Sequence, residues 1–442
     1  MTDPTPTLER NEATVVTVPA DTITQPRRII AGLVSWRRTF AAFRHRNYRL
    51  FFAGQLVSVI GTWMQQVALG WLVYTLSNSA FTLGAVRFLS AIPITLFTLL
   101  AGALADRIEK RRIVVLTEST AMVLALTLAS LVYLGVIKIW HIALLGFLDG
   151  ITDAFDIPAR QSFVIEMVGR DDLMNAIALN SSLFNGARVF GPALAGVLIG
   201  LIGLTGCFFL NGISYLAIVC AYIAMRLPSA TQRVNRQPVW HETVEALRYV
   251  RGHRVLCAVM SLVSIVSLFG WPYSVLLPVF ARDVLRVQAS GYGYLMAANG
   301  AGALFGALTL ASLGHAVTRR TLFYGGLFGF CIMLAIFACS HVYWLSAAAL
   351  AGSGFFMIIF FATANTAVQT RVPDELRGRV MGIYALAFLG LTPFGSLLAG
   401  AVAKTTSASF TVSSGAVVCL VAGLVVMRLT RPQEATVQPP AR

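Results

Sequence analysis

The feature that most constrains this chain is a series of twelve apolar stretches separated by short polar segments. Each stretch is long enough to cross about 30 Å of hydrocarbon as an α-helix, and helices satisfy their own backbone polar groups in lipid. We therefore predict an all-α membrane protein with twelve transmembrane helices, numbered in chain order. The stretches lie near residues 49–75, 80–104, 112–135, 140–158, 175–201, 206–226, 254–280, 291–313, 319–339, 342–366, 379–403 and 408–429.

The distribution of positive charge predicts which loops are cytoplasmic. A net charge of +15 could indicate nucleic-acid binding, but the cations are concentrated in alternate loops, as the positive-inside rule requires. We therefore expect both termini in the cytoplasm, anionic inner-leaflet lipid as a partner, and no nucleic acid. The basic clusters are Arg37, Arg38, Arg44, Arg46 and Arg49; 107–112; 226–254; Arg319 and Arg320; Arg371, Arg377 and Arg379; and Arg428 and Arg431.

The chain also contains an internal repeat. The acidic loop 168–173 precedes the small-residue segment 191–196, and the acidic loop 372–376 precedes a similar segment at 395–400. Residues 314–320 lie where 106–112 would map, but no acid replaces Asp106. We predict two six-helix halves in a parallel repeat. The predicted units are a tail (1–42), a first half (43–226), a linker with an amphipathic helix (227–253), a second half (254–430) and a tail (431–442).

The run 102–112 resembles the loop between helices 2 and 3 of the major facilitator superfamily. Gly102, Asp106, Arg107, Lys110 and Arg111 match that motif, whereas Glu109 replaces its second glycine. Further similarity lies in 43–49, 155–161, 179–192 and 373–379, so that the resemblance covers roughly residues 43 to 430. These stretches are most similar to an exporter branch that includes enterobactin-type siderophore exporters. This resemblance implies export by proton antiport from the bacterial inner membrane, with no substrate identified.

Charged side chains within the membrane helices are candidates for the coupling chemistry, because each costs about 2.5–3.5 kcal/mol at mid-membrane. Asp149, Asp153 and Asp156 have the spacing i, i+4, i+7 and share one face of helix 4. Arg188 lies at a similar depth in helix 5. One hypothesis is that Asp149 or Asp153 binds the transported proton and Arg188 tunes its affinity. The alternative is a permanent ion pair that holds helices 4 and 5 together.

The resemblance also implies a gate at the cytoplasmic side. In the superfamily, cations of the loop between helices 2 and 3 pair with an acid at the inner end of helix 4, and the loop aspartate faces helix 11. Transferred to this sequence, Arg107, Arg111 or Arg112 would pair with Asp156, and Asp106 would cap the helix that begins near Arg379. The alternative is an ordinary surface ion network. The gate residues are Gly102, Asp106, Arg107, Arg111, Arg112 and Asp156.

Polar residues on helix 1 form a stripe with helical spacing. Helices 1, 4, 7 and 10 line the cavity in the superfamily, so this stripe is expected to face the substrate together with residues of helices 7 and 10. The candidate cavity residues are Gln55, Ser58, Thr62, Gln65, Trp271, Tyr273 and Asn365.

The segment 191–196 in helix 5 resembles an antiporter signature. Its residues Gly191, Pro192 and Gly196 permit close helix approach and a bend. Close packing without any gating role is an equally good interpretation of the same residues.

No enzyme site is recognisable in the sequence. The six cysteines lack metal-ligand spacing, and there is no phosphate loop or catalytic triad. We expect no cofactor and no metal, with the proton gradient as energy source. The prediction is a monomeric secondary transporter that exports small amphipathic molecules, either drugs or siderophore-like compounds. The alternatives are an uptake or lipid-moving transporter on the same fold, or a non-transporting membrane sensor or scaffold.

Overall fold

A computed structural model describes residues 40–105, 108–226, 239–313 and 316–430, and within these ranges all regular elements are helices. Ten of the described helices are long and apolar enough to cross a membrane, which confirms the prediction of an all-α membrane protein. The helices are α1 (Arg46–Ser77), α2 (Ala80–Ala105), α3 (Lys110–Tyr133), α4 (Ile139–Val168), α5 (173–202) and α6 (204–224), which form the segment Leu173–Ala224 divided at Gly203, the linker helix (Val239–Gly252), α7 (Arg254–Val284), α8 (Ala289–Leu313), α9 (Arg319–Cys339), α10 (Tyr343–Gln369), α11 (374–405) and α12 (Ala408–Leu429).

Three of these helices depart from regular α geometry. The 52-residue segment Leu173–Ala224 bends at Gly203, whose φ of 71° belongs to the left-handed region that favours glycine. α7 and α11 contain π-helical turns at Val266–Gly270 and Leu386–Gly390. In α7 the Trp271 N–H donates to the Val266 carbonyl at 2.7 Å, so this turn sets the direction of the Trp271 side chain. Such π-turns are frequent at functional sites.

Glycine residues allow the helices to approach closely at one end of the bundle. A Cβ atom on Gly84 of α2 would lie 2.4 Å from the Ser396 carbonyl oxygen of α11. A Cβ atom on Gly293 of α8 would lie 2.6 Å from the Gly196 Cα of α5. Both contacts lie at the helix ends remote from the 108–109 loop. Small residues are what close packing of membrane helices requires.

Polar contacts between α1 and α7 reinforce the same end. The Tyr74 hydroxyl donates to Asp283, and the Arg282 guanidinium lies 5.5 Å from the centre of the Tyr74 ring. Together with the glycine contacts, these interactions close the bundle at this end. The closed end is the outer end in the topology that the cation distribution predicts.

Asp172, at the start of α5, anchors the segment before α1. It accepts a hydrogen bond from Arg44 Nε at 2.6 Å and lies 2.7 Å from His45 Nε2. The contact with His45 and the charge of Arg44 hold the pKa of Asp172 below its usual range, although burial acts in the opposite direction. Because the pKa of Asp172 is lower in the folded than in the unfolded state, its charged form stabilises the fold at pH values above the unfolded-state pKa. This stability is lost as the pH falls towards the folded-state pKa.

Replacing Asp172 by Asn should lower the thermal unfolding temperature of the detergent-purified protein at pH 7. The difference in unfolding temperature between the variant and the wild type should shrink as the pH falls below about 4. In this range the Asp172 carboxyl of the wild type is protonated first in the unfolded state and, at lower pH, in the folded state. Asp171→Asn, at an exposed neighbouring position, is the matched control. A difference that stays constant with pH would show that the ion pairs do not contribute this stability.

Candidate functional site

Two adjoining cavities occupy the middle of the bundle. One, of about 320 Å³, lies among α1 to α6, and the other, of about 150 Å³, lies mainly among α1, α2, α7 and α8. Among the residues they share are Trp63, Gln66 and Arg87. The first cavity is lined by the predicted residues Gln55, Ser58, Thr62, Gln65, Asp149, Asp153 and Asp156, and the second by Arg188, Trp271 and Tyr273.

Asn365 is the one predicted cavity residue that lines neither of these cavities. It lies on α10, where its Oδ1 accepts a hydrogen bond from Gln369 Nε2 at 2.6 Å. The contribution of this side chain to the cavity stays a prediction.

A cluster of acids lies along α3 and α4 beside the larger cavity. Arg160 Nη2 lies 3.1 Å from Asp156 Oδ2, and Arg160 Nη1 lies 3.9 Å from Glu118 Oε1. The Thr117 hydroxyl donates to Asp156 Oδ1 at 3.0 Å. Together with Asp149 and Asp153, the carboxylates of Glu118 and Asp156 make a cluster of four. The guanidinium groups of Arg160 and Arg87 face this cluster.

Arg87 of α2 is a cation that faces Asp149 and Asp153, and Arg160 also interacts with Asp153. The Arg87 guanidinium interacts electrostatically with both carboxylates, and all three residues line the larger cavity. Arg87 is notable in the sequence as a charge within helix 2, but the hypothesis assigned its role to Arg188. Arg160 is detectable from its i+4 spacing to Asp156, yet sequence reasoning did not include it.

The predicted pairing of Arg188 with the helix 4 acids is corrected by the structure. Arg188 Nη2 donates to Asn299 Oδ1 of α8 at 3.2 Å. Its Cζ lies 6.0 Å from the Trp63 ring centre and 5.9 Å from the Trp271 ring centre, within the range of cation–π contact. The face of α5 that carries Arg188 is turned towards α8 and the smaller cavity, away from the acids of α4.

Asn299 organises the contacts around Arg188. Its Nδ2 group is 2.7 Å from the Tyr273 hydroxyl, 3.0 Å from the Leu350 carbonyl and 3.1 Å from Ser353 Oγ. This buried amide thereby ties α8 to α7 and α10 and fixes its Oδ1 towards Arg188. Asn299 was not predicted from the sequence, where it stands out only as the single amide side chain of Ala289–Leu313.

The predicted cytoplasmic gate is only partly within the described residues. Asp106 and Arg107 lie outside them, and Gly102 lies in the last turns of α2. The predicted pairing of Asp156 with Arg111 or Arg112 is not the one the structure shows. Arg111 donates to the Ile223 carbonyl at 2.6 Å, and Arg112 pairs with Glu109 at 2.8 Å. Asp156 is buried one turn from Arg160, and that neighbour on its own helix supplies its countercharge.

The helix 5 motif packs against two helices. A Cβ atom on Gly191 would lie 2.4 Å from Trp63 Cβ of α1, and one on Gly196 would lie 2.9 Å from the Ser290 carbonyl of α8. Pro192 is buried within α5. These contacts show the close packing that the sequence predicted, and the gating role of the motif stays a prediction.

Comparison with known proteins places the chain in a family. A family model described as transmembrane secretion effector, within the major facilitator superfamily, matches residues 37–441. The chain belongs to this family of transporters. The family and the relatives it resembles are membrane transporters, so the protein is not an enzyme.

Several relatives of the transporter are named for the movement of small molecules. It is 25% identical to the staphyloferrin A transporter of Staphylococcus aureus, over 79% of this chain and 88% of the relative. It is 27% identical to the multidrug efflux pump Tap of Mycolicibacterium fortuitum (87% and 96%). It is 24% identical to the enterobactin exporter EntS of Citrobacter koseri (92% and 97%).

Solved structures share the fold of the transporter at low sequence identity. The nucleoside transporter NupG superimposes with a TM-score of 0.69 at 13% identity, over 87% of this chain and 99% of that chain. A bacterial homologue of the iron transporter ferroportin, in an inward-facing state, gives 0.68 at 16% identity, over 87% and 99%. These similarities establish the fold.

Replacing Arg160 by Gln should destabilise the transporter by about 3–5 kcal/mol, because Glu118 and Asp156 would lose their countercharge in a buried site. The double variant Arg160→Gln with Glu118→Gln should recover part of that loss, since one carboxylate is removed together with the cation. Thermal unfolding in detergent measures both effects. Purely additive losses in the double variant would contradict the coupling of these groups.

Proposed function

We propose that the transporter exports small amphipathic molecules from the bacterial cytoplasm in exchange for protons. The observation that carries the proposal is the acid cluster of α3 and α4, which borders a cavity adjoining the arginine–tryptophan site around Arg188. Relatives named for siderophore transport and for multidrug efflux support the class of substrate. The proposal needs no cofactor beyond the proton gradient and takes the monomer as the working unit.

Twelve transmembrane helices in two six-helix halves are proposed as the framework for alternating access. The segment Leu173–Ala224 supplies two of them, since it divides at Gly203. α4 is proposed as another, although it is not among the ten described helices that are long and apolar enough to cross a membrane. The proposed units are the halves 43–226 and 254–430, the linker 227–253, and the tails 1–42 and 431–442, with linker and tails in the cytoplasm.

The distribution of contacts supports an inward-open state in this topology. α2 meets α11, and α5 meets α8, through glycines at the predicted outer end. The contact between Tyr74 and Asp283 lies at the same end. Rocking of the two halves about the central cavity would break these contacts and close the cytoplasmic side, where the gate residues of the 102–112 loop would engage.

Proton coupling is proposed to occur at Asp149 and Asp153, with Arg87 in the tuning role first assigned to Arg188. Four carboxylates face two guanidiniums in this cluster, so a proton is the simplest species to balance the excess negative charge. Both aspartates border the larger cavity, so a proton and a substrate molecule that enter this cavity can compete for binding to their carboxylates. A structural role for the acids is the competing explanation, and Asp156 with Arg160 fits it best.

Neutralising Asp149 or Asp153 should uncouple transport from the proton gradient. Asp149→Asn and Asp153→Asn transporters in proteoliposomes should exchange substrate across the membrane but should not accumulate it against its gradient, because the proton-binding carboxylate is lost. Asp171→Asn, at an exposed loop position, should behave as the wild type. A substrate can be found first with an efflux panel of drugs and siderophores in cells.

Full proton-driven accumulation by both variants would exclude these aspartates as the coupling site. Proton-independent transport by the wild type would instead favour facilitated uptake or lipid movement on the same fold. Binding without any transport would favour a sensor or scaffold.

A further inference from the structure

A basic cleft lies at the predicted cytoplasmic end of the second half, away from the transport cavities. It has a volume of about 220 Å³ and is bounded by α7, α9, α10 and the end of α12. Three arginines line it: Arg319 and Arg320 from the start of α9, and Arg371 just after α10. The rest of the lining is mostly apolar and aromatic, with Val255, Ala258, Val259, Phe323, Tyr324 and Ala367 beside Thr363 and Thr430.

The three guanidinium groups are held in place by neutral acceptors. Arg319 Nη1 donates to Thr370 Oγ1 at 2.9 Å, Arg320 Nη2 to the Met427 carbonyl at 3.2 Å, and Arg371 Nη1 to the Ala367 carbonyl at 3.2 Å. None of the three pairs with a carboxylate in the part of the chain that the structure describes. The cleft is therefore positively charged, and its guanidinium groups have further N–H donors for a ligand.

The corresponding position in the first half is organised differently. At the start of α3, Lys110 pairs with Glu166 at 2.6 Å and Arg112 pairs with Glu109 at 2.8 Å. The sequence repeat maps this loop onto the one before Arg319, where no acid replaces Asp106. The first half neutralises Lys110 and Arg112 with its own carboxylates, whereas Arg111, like Arg320, donates to a backbone carbonyl. In the second half, Arg319 and Arg320 have no carboxylate partner among the described residues. An external anion can therefore bind where the first half has a carboxylate.

Thr363 provides a second, independent indication of a ligand. This residue of α10 is 4% exposed and lines the cleft, and its Oγ1 has no hydrogen-bond partner among the described residues. A buried hydroxyl without a partner costs free energy, typically about 1–3 kcal/mol. A bound oxyanion in the cleft would accept its hydrogen bond.

We propose that the basic cleft binds the phosphate group of an anionic phospholipid from the inner leaflet. Arginine favours phosphate, because its planar N–H groups match two phosphate oxygens at once. Basic pockets between membrane helices on the cytoplasmic side are suited to such headgroups. The apolar side chains of Val255, Val259 and Phe323 would contact the lipid beyond the phosphate, and this favours a lipid over free phosphate.

The test is lipid binding to the delipidated full-length transporter in detergent, followed by native mass spectrometry. The probes are phosphatidylglycerol, phosphatidylcholine and inorganic phosphate. The wild type should retain phosphatidylglycerol in preference to phosphatidylcholine. Arg319→Gln with Arg320→Gln should weaken phosphatidylglycerol binding about tenfold or more, since two charge-assisted hydrogen bonds are lost. Lys110→Gln with Arg112→Gln removes two cations from the first half and should leave that binding unchanged.

Thr363→Val separates ligand binding from a structural role of the cleft. Without lipid, this variant should be as thermally stable as the wild type or more so, because an unsatisfied hydroxyl is removed. With phosphatidylglycerol, its stabilisation should be smaller than that of the wild type. Lower stability without lipid would mean that the hydroxyl serves packing and would contradict its role in binding.

Two other outcomes would overturn the lipid assignment. If the first-half and second-half double variants lose phosphatidylglycerol binding equally, the lipid binds through the general positive charge of the surface and not through the basic cleft. Inorganic phosphate that displaces the lipid completely at equal concentration would identify a site for soluble phosphate. Neither outcome bears on proton-coupled export, because the residues of the cleft are separate from those of the central cavities.

Discussion

The electrostatic balance between four carboxylates and two guanidiniums of α2, α3 and α4 is the constraint on which the site depends. Charges within a membrane protein are tolerated when they face each other or water. Asp156 and Glu118 satisfy this through Arg160, whereas Asp149 faces Arg87, and Asp153 faces both Arg87 and Arg160, beside the cavity. For Asp149 and Asp153 we propose the exchange of a proton, and for Asp156 and Glu118 we propose a structural role.

The packing of the helices complements this electrostatic arrangement. Glycines at the closed end bring α2 against α11 and α5 against α8, so that the helix backbones approach closely there. In the middle of the bundle, Trp63 and Trp271 flank Arg188 and keep a space open. The proposed rocking of the two halves requires that these contacts separate.

The all-α membrane architecture could be predicted from sequence, because the length of an apolar stretch determines whether it can cross a membrane as a helix. The spacing of Asp149, Asp153 and Asp156 likewise placed the acids on one face of α4. The partner of Arg188 could not be predicted in this way. Its direction depends on how α5 rotates against α8, which the close approach of Gly293 and Gly300 sets. Asn299 was missed for a related reason, since only tertiary packing reveals which acceptors surround a lone amide.

The most direct test of the account is the release of protons when substrate binds to the purified transporter. In weakly buffered detergent solution at pH 7, the wild type should release protons upon addition of a substrate identified by efflux screening. A transporter with Asp149→Asn and Asp153→Asn together should bind that substrate and release none. Equal proton release from both proteins, or none from the wild type, would contradict the central claim that these aspartates exchange the proton for the substrate.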